Sequence, residues 1–544
     1  MFLHSRKYLL FGTLALLLQP LTQMRAQDRE LAWSIKYDPK TFDPAKVDEQ
    51  ASELVRYLTG GVLLRLNRRT QQVEPSLAES WTASPDGRTL VFQLRKGLLF
   101  SDGAPLRAAD VVFSLRRVLA PGTAAPLAEE LPPGVIVDSS GPLTVTIHLP
   151  RRVVGIDALF DEIAIEPVNR PSEAKVTAGP YVLTEYKRGQ SLRLTRNPHF
   201  WRHDVTGAQL PFISSIRLDI VVNPERDQAS FVRGQHQLMN SIPPDYFNLL
   251  ARTQPQAVHD LGPSLNTEQL WFNQAASSPL PAYEKQWFQS TAFRTAISEA
   301  MHRADLARVA YSGHATPAYS FISPANGLWY NRDLHVPTES AALANKSLLQ
   351  AGFHRSGRLL YDAAGNPIKF SILTNAGNAA RQKMATLIQQ DLAALGIEVT
   401  VVTLDFPALI ERLMHTGDYE ACLLGLANVN PDPNTMMNLW ISSSPNHQWN
   451  PSEKRPATPW EASIDEEMRA QAAAPTMTQR KRAVDHVQQI VADQQPFIYL
   501  VYPNALYAVS PTLGGVDLAV LEPGAVWNVD TLHWAVLPNQ VAKR

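Results

Sequence analysis

Cysteine is nearly absent from this sequence: the 544-residue chain contains only Cys422, so no disulfide bond can form within it. A chain of this length can bury hydrophobic cores large enough to fold without such bonds. Cys422 lies in the apolar run ACLLGLA, and free cysteine is among the most buried residue types. We therefore expect Cys422 to be a buried strand residue.

An excess of charge of either sign is also absent, since 50 basic residues stand against 51 acidic ones. A balanced chain produces no extended field that would attract phosphate backbones or anionic membranes. Nucleic acid is therefore not an expected partner.

Hydrophobic runs long enough to span a membrane, about 20 residues, are absent from the sequence. The main apolar run covers residues 9–18, follows Arg6 and Lys7, and precedes the small residue Ala26. This order is that of a secretory signal peptide, which we expect to cover residues 1–26. Because no cysteine stands at the junction, we expect no lipid anchor.

Motifs of catalysis and metal binding are missing as well. The chain contains no nucleophile-elbow, dinucleotide, P-loop or zinc-protease motif, and a single cysteine cannot form a zinc clip. His199 and His203 are four residues apart, but their segment follows a strand and begins with Asn-Pro, so we interpret them as exposed loop residues. We expect no metal and no cofactor.

Regular secondary structure, by contrast, is strongly specified. Apolar residues alternate along a predicted strand at Leu90, Phe92 and Leu94, and a helix with an apolar i, i+4, i+7 stripe follows within residues 90–119. From residue 291 onward helices alternate with strands, which is typical of an α/β lobe. Since a single core stops growing at about 250 to 300 residues, we expect two or three lobes.

Three local predictions concern single segments of the chain. Residues 293–311 are predicted to form one helical segment, and residues 497–502 a late strand. Residues 442–460, rich in Ser, Pro and Asn, are predicted to form a long surface loop.

One polar cluster resists a purely structural interpretation. Asn428, Asn430, Asp432 and Asn434 lie just beyond the end of a predicted buried strand. Crevices beyond strand carboxyl ends are where α/β sheets bind ligands. Asx turns would explain the same residues without a ligand, and both interpretations stay open at this point.

The stretch PSLAESWTASPDGRTLVFQLRKGLLFSDGAPLRAADVVFSLRRVL closely resembles the signature of the periplasmic solute-binding proteins of the peptide/nickel ABC-transporter class. The likeness continues through TAGPYVLTEY, FRTAISEAMHRADLARVAYSGHATPA and NPDP, in the family's order. It implies a two-lobed type II periplasmic-binding-protein fold of the α/β class, enlarged by a small domain inserted in the first lobe. It further implies a monomeric periplasmic protein without enzymatic activity, which captures a peptide-like solute between closing lobes and delivers it to an inner-membrane ABC permease complex.

The family architecture also implies domain boundaries for this chain. The two crossings between the lobes are expected near Leu265 and near Leu500. The expected segments are 27–62, 176–265 and 501–544 for the discontinuous first lobe, 63–175 for the insert and 266–500 for the second lobe.

The resemblance places candidate ligand-binding residues in two loops. Tyr37 and Asp38 match family positions that line one side of the cleft. Asn428, Val429, Asn430 and Asp432 lie in the loop on the other side. Peptide-binding members carry Trp and Asp ahead of the final Asp-Pro, and here those positions are Leu426 and Val429, so the usual acidic anchor for a peptide amine is missing.

Two alternatives remain beside a peptide-binding receptor. One is the same fold binding a non-peptide solute such as an oligosaccharide or a metal chelate. The other is an exported hydrolase, which needs a converging nucleophile and base or a carboxylate pair. Turnover of a library compound would indicate the hydrolase, and stoichiometric thermal stabilisation would indicate the binder.

Val429 makes a testable prediction about specificity. An apolar side chain cannot supply the charge-assisted contact, about 1.5 to 3 kcal/mol, that a carboxylate makes with a peptide ammonium. Acetylated and free forms of any peptide that binds should therefore have similar affinities, and Val429→Asp should shift the preference toward free amines. Calorimetry checks both; a free form that binds the unaltered protein more than about tenfold tighter, 1.4 kcal/mol, would contradict the prediction.

Overall fold

A computed structural model describes residues 29–123, 125–168, 175–427 and 430–535. The expected signal peptide at 1–26 and the candidate residues Asn428 and Val429 lie outside the described residues. Within the described part of the chain, none of the helices combines the length and the apolar character needed to cross a bilayer.

The strands are numbered in chain order. They are β1 (Leu31–Ile35), β2 (Leu64–Leu66), β3 (Val73–Pro75), β4 (Ala78–Ala83), β5 (Thr89–Leu94), β6 (Ile136–Ser139), β7 (Thr144–His148), β8 (Tyr181–Lys187), β9 (Ser191–Arg196), β10 (Ser215–Ile220), β11 (Leu238–Met239), β12 (Val258–Pro263), β13 (Thr267–Phe272), β14 (Ala315–Pro317), β15 (His354–Ser356), β16 (Leu359–Tyr361), β17 (Lys369–Asn375), β18 (Glu398–Leu404), β19 (Ala421–Leu426), β20 (Ile498–Val509), β21 (Leu513–Gly514) and β22 (His533–Trp534).

The helices are numbered in the same way. They are α1 (Gln50–Thr59), α2 (Ala108–Leu119), α3 (Pro224–Val232), α4 (Pro244–Thr253), α5 (Ala282–Gln289), α6 (Thr291–Ala300), α7 (Arg303–Asp305), α8 (Ala341–Gln350), α9 (Ala379–Ala394), α10 (Phe406–Ile410), α11 (Met437–Trp440), α12 (Pro459–Ala473) and α13 (Met477–Gln494). A π-helical turn extends α7 through Leu306–Ala310, and another extends α10 through Glu411–Thr416.

The expected insert contains a four-stranded antiparallel sheet in the order β4-β5-β7-β6. Leu90, Phe92 and Leu94 of β5 are buried, as their alternation predicts, and they share a core with the apolar stripe of α2. The α2 stripe places Val111 and Leu115 in the same core, so both local predictions for this stretch are confirmed.

A second four-stranded sheet, in the order β1-β10-β9-β8, lies in the part of the chain expected to form the first lobe. β1 is at its edge and runs parallel to β10, whereas β9 runs antiparallel to both β8 and β10. Its core is separate from that of the insert and includes Trp33, Leu192 and Leu218.

An eight-stranded sheet follows the path β11-β20-β13-β19-β17-β18, with β12 and β14 also paired to β20. β17 is parallel to both β18 and β19, and α9 connects β17 to β18, which confirms the predicted helix–strand alternation. Cys422 on β19 is fully buried, as expected. Burial raises the pKa of its thiol.

The long strand β20 belongs to the part of this sheet where the expected lobes are connected. Its 12 residues are buried except at Pro503 and Asn504, which are partly exposed. The predicted strand at 497–502 is too short, because β20 continues past the proline to Val509. The predicted lobe boundary near Leu500 lies within β20, and the one near Leu265 lies between β12 and β13.

Two further local predictions are wrong in part. The helical segment predicted at 293–311 is interrupted between Ala300 and Arg303. The segment predicted as a surface loop is anchored in the interior, since His447 and Trp449 are fully buried. Trp449 packs against Trp440 and Phe497, which explains how a polar, proline-containing segment is held down.

Candidate ligand-binding cleft

The carboxyl ends of the parallel strands β17, β18 and β19 lie along one edge of the eight-stranded sheet, at Asn375, Leu404 and Leu426. Ligands bind beyond this edge in open α/β sheets. The polar loop predicted as a binding loop follows β19 here and includes Asn430 and Asp432.

Asp432 organises that loop. Its backbone N–H donates to Asn430 Oδ1 at 2.9 Å, and its own Oδ1 accepts the N–H of Asn434 at 2.8 Å. This bond caps the short 3-10 turn Pro433–Met436. The Asx-turn interpretation of the polar cluster is therefore confirmed for these residues.

Asp432 also forms an ion pair with Arg480 of α13. Arg480 Nη1 donates to Asp432 Oδ2 at 2.7 Å, and Nη2 makes a second bond to the same carboxylate. The guanidinium is buried, donates from Nε to Gln471 Oε1 at 2.9 Å, and lies over the ring of Trp329. The negative charge of Asp432 is thus neutralised by the protein itself.

Arg480 reaches across to the expected insert as well, because Nη1 donates to the carbonyl of Val154 at 3.1 Å. The next residue is Gly155, with φ at +81°, and a Cβ there would lie 3.0 Å from Arg480 Nη1. Glycine therefore permits both the left-handed turn and the close approach of the guanidinium.

Further polar contacts join the same two regions. Asn430 Nδ2 donates to Glu162 Oε1 at 3.0 Å, and Gln71 Nε2 donates to the carbonyl of Ala325 at 2.9 Å. We call these two contacts, together with Arg480–Val154, the clasp. Apolar contact nearby is small, a cluster of Leu66, Leu265 and Leu521 with a few partly buried neighbours.

Tyr37 and Asp38 lie in the loop after β1. Asp38 accepts hydrogen bonds from the Tyr186 hydroxyl at 2.8 Å and from the Gly189 N–H at 2.9 Å, so it fixes the β8–β9 hairpin. Tyr37 is 67% exposed. Asp38 bonds to this hairpin, whereas Asn430 and Asp432 bond to the insert and to α13. Asn430 and Asp432 are also bonded to each other, but no hydrogen bond among the described residues connects them to Asp38.

A buried ion pair that the sequence did not reveal lies at the same sheet edge. Arg381, at the start of α9, donates to Glu268 of β13 from Nε at 2.7 Å and from Nη2 at 3.0 Å. Tyr311 donates to Glu268 at 3.0 Å, and Asn375 accepts from Arg381 at 2.8 Å. These partners are far apart in the chain, and no motif connects them.

The Glu268 carboxylate favours the charged form of Arg381. Burial acts to lower the pKa of Arg381, but the Glu268 carboxylate outweighs it and raises that pKa. A Cβ at Gly425 would clash with Arg381 Nη2 and Glu268 Oε1, so glycine allows β19 to pass this close. The pair places fixed, mutually neutralised charges beside the loop that follows β19.

His199 and His203 are exposed residues outside any helix, as the sequence predicts. His203 forms an isolated bridge with Gln209.

Replacement of Asp432 with alanine should destabilise the protein, because it leaves the buried Arg480 guanidinium without its carboxylate. We expect a loss of about 2 kcal/mol in the free energy of unfolding, less than for a fully buried pair because Asp432 is partly exposed. Asp138→Ala, which breaks the exposed pair with Arg116, is the matched control and should cost under about 0.5 kcal/mol. Urea titration of both variants checks this; equal losses would contradict the structural role of Asp432.

The chain matches known proteins over most of its length. The family model of the bacterial extracellular solute-binding proteins, family 5 (middle), matches residues 72–448. A probable ABC transporter-binding protein of Deinococcus radiodurans is 25% identical over 534 residues, which cover 88% of this chain and 87% of that protein.

Solved structures show the same architecture. The oligopeptide-binding protein AppA of Bacillus subtilis, in complex with a nonapeptide, matches with a TM-score of 0.70 and 21% identity over 93% of this chain and 99% of that one. NikA of Brucella suis, in complex with Fe(III)-EDTA, matches with a TM-score of 0.77 and 20% identity over 93% of this chain and 100% of that one. The two-lobed type II periplasmic-binding-protein fold is thereby confirmed, and the chain belongs to the bacterial extracellular solute-binding proteins of family 5, the peptide/nickel class of ABC-transporter binding proteins.

Proposed function

We propose that this protein is a monomeric periplasmic receptor, exported by a signal peptide at residues 1–26, for an inner-membrane ABC permease complex. It captures a peptide-like solute between two lobes. Support comes from the family, from the Deinococcus relative described as a probable ABC transporter-binding protein, and from AppA, whose structure contains a nonapeptide.

The observation that carries the proposal is the way the two lobes are joined. The proposed first lobe comprises 27–62, 176–265 and 501–544, with the insert at 63–175, and the second lobe comprises 266–500. The crossings lie side by side in one sheet, where β12 and β13 both pair antiparallel with β20. A hinge of neighbouring strands lets the lobes rotate through small changes in backbone dihedral angles.

The contacts away from the hinge support rotation. The insert is tied to the first lobe by Arg56, which donates to the Asp161 carbonyl at 3.1 Å, and by Arg65, which donates to the Trp527 carbonyl at 3.0 Å. Its contacts with the second lobe include the clasp, the packing of partly buried Ala325 against one small apolar cluster, and a bond of 3.3 Å from the exposed Arg151 to the Ala472 carbonyl. Since each hydrogen bond contributes a net of about 0.5 to 1.5 kcal/mol, opening these contacts costs little compared with unfolding a lobe.

The proposed solute site lies between the loop after β1 and the loop after β19. β1 is an edge strand on which Ala32 is already bonded to Gln237, and a peptide can extend the edge beyond Ala32 through backbone hydrogen bonds. We assign solute contact to Tyr37, Asn428, Val429 and Asn430. Asp38 and Asp432 shape the two loops, since their carboxylates are engaged within the protein.

A non-peptide solute is the second candidate. Two features favour it: Val429 stands where peptide-binding members carry an acidic residue, and NikA, with the same fold, holds Fe(III)-EDTA. Native mass spectrometry of protein purified from the periplasm should show one bound molecule per chain, and its mass distinguishes a peptide from another solute. Chemical conversion of that molecule during incubation would contradict the receptor proposal.

The clasp generates a second prediction. Gln71→Ala and Asn430→Ala each remove a contact between the insert and the second lobe, and Asn430→Ala also removes a proposed solute contact. Gln71→Ala should therefore weaken binding of the co-purified solute by about 3- to 10-fold, and Asn430→Ala by at least as much. Asn345→Ala is the control, because among the described residues Asn345 donates to Ala341 within its own helix α8, and it should leave affinity unchanged. Isothermal titration calorimetry measures all three.

Thermal melting without solute separates the alternatives. The Gln71 variant should melt within about 1 °C of the unaltered protein, because a contact at a lobe interface contributes little to either core. Unchanged affinity in the Gln71 variant would contradict closure through these contacts.

A further inference from the structure

A cluster of potential metal ligands lies apart from the cleft, where residues 441–458 connect α11 to α12. His447 and Glu461 are buried, and Glu453 has a side chain only 6% exposed. One ligand atom from each of these residues falls within 4.8 Å of the other two. Neither the family resemblance nor the cleft accounts for this grouping.

His447 points Nε2 into the cluster. Its Nδ1 lies 3.1 Å from the carbonyl of Leu439, which can only accept a hydrogen bond, so Nδ1 is the donor. In the neutral imidazole Nε2 presents a lone pair. It is fully buried and has no hydrogen-bond partner among the described residues.

The carboxylates face the same point. Glu453 Oε1 is 3.7 Å from His447 Nε2, and it too is buried without a hydrogen-bond partner in the described part of the chain. Glu461 Oε1 is 3.8 Å from the same nitrogen. Burying an unpartnered acceptor costs about 1 to 3 kcal/mol, and here two acceptors converge.

Hydrogen bonds from residues outside the cluster hold the two carboxylates in place. Glu461 Oε2 accepts the N–H and the hydroxyl of Thr458, both at 2.8 Å, and Oε1 accepts from Trp449 Nε1 at 2.9 Å. The second oxygen of Glu453 accepts the Ala457 N–H at 2.6 Å. Outer hydrogen bonds of this kind orient the ligands of metal sites.

The spacing suits a small divalent cation. Ligands about 2.1 Å from a tetrahedral zinc ion are separated by about 3.4 Å, so the distances of 3.7 and 3.8 Å from His447 Nε2 to the two carboxylates need to shorten by only a few tenths of an ångström. One imidazole with two carboxylates is a donor set that zinc accepts, with water in the fourth position.

We propose that His447 Nε2, Glu453 and Glu461 bind a structural Zn²⁺ ion that fastens the 441–458 segment to the start of α12. The ion would satisfy both unpartnered acceptors at once. It would also brace α11, whose Leu439 carbonyl holds His447 and which directly follows the cleft loop.

Zinc alone is the probe in the test. Purified protein stripped with a chelator and titrated with ZnCl₂ should bind one equivalent by calorimetry and melt at a higher temperature, since a ligand specific for the folded state stabilises it. Anomalous scattering at the zinc edge should place the ion between His447 and Glu453. Absence of saturable one-to-one binding below about 10 μM would overturn the proposal.

Glu453→Gln is the informative variant. Glutamine has the same shape as glutamate and carries no charge, so this variant removes the carboxylate ligand without changing the packing and should fold. It should bind zinc at least tenfold more weakly. His486→Gln is the control, because His486 and Glu467 form an exposed pair with 2.8 Å between Nδ1 and Oε1, and it should bind zinc unchanged.

Each outcome of these measurements supports or overturns the site. Equal weakening in both variants would mean that zinc binds surface histidines, and unchanged binding in Glu453→Gln would remove the cluster as its site. If Glu453→Gln fails to fold, the anomalous signal in the unaltered protein decides the proposal alone. None of these results depends on the identity of the solute.

Discussion

Strand β20 is the constraint on which the rest of the structure depends. It joins β13 at its start, β12 beyond its middle and β11 at its end, so one continuous backbone belongs to both proposed lobes. Its partly exposed residues, Pro503 and Asn504, lie where the pairing partner changes. Proline cannot donate to the ladder, and β12 has an irregularity opposite this point, between Asp260 and Pro263. The sheet is thus least regular where the lobes meet.

Buried arginines connect distant segments of the proposed second lobe. Arg294 donates to the carbonyls of Phe288 and Gln494 at 2.7 and 2.8 Å, and burial lowers its pKa to about 9. Arg303 donates to the carbonyls of Ser298 and Tyr499 at 3.0 and 2.7 Å. Each guanidinium satisfies several carbonyls at once, so Arg294 ties α5 to the end of α13, and Arg303 ties the end of α6 to β20. A lobe connected in this way moves as a unit about a hinge, and the clasp residue Arg480 belongs to the same lobe.

The sequence predicted the parts of the fold that local patterns control. Alternation identified β5, the apolar stripe identified α2, and an Asx turn at Asp432 was one of the two interpretations that the polar residues after β19 left open. The sequence did not predict the features that depend on contacts between residues far apart in the chain. The helix break before Arg303 follows from the bonds of that side chain to Ser298 and β20, and β20 extends through Pro503 because it has partners on both sides.

The candidate site divides in the same way. Asp38 and Asp432 were found by position, but their hydrogen bonds to Gly189 and Arg480 could not be predicted without the fold. Glu268 and Arg381 are separated by 113 residues, and nothing in either neighbourhood indicates the pair. The cluster at His447 was hidden for another reason: a segment rich in Ser, Pro and Asn has a surface composition, and burial of Trp449 cannot be read from it.

Closure of the lobes about β20 is the central claim, and a distance measurement tests it most directly. Cys422 is buried, so spin labels will attach selectively to cysteines introduced as Ser140→Cys in the insert and Thr386→Cys on α9, both exposed positions. Double electron–electron resonance on solute-stripped and solute-saturated protein should show a broad distance distribution that narrows and shortens with the co-purified solute. An identical distribution in both states would contradict a hinge at β20.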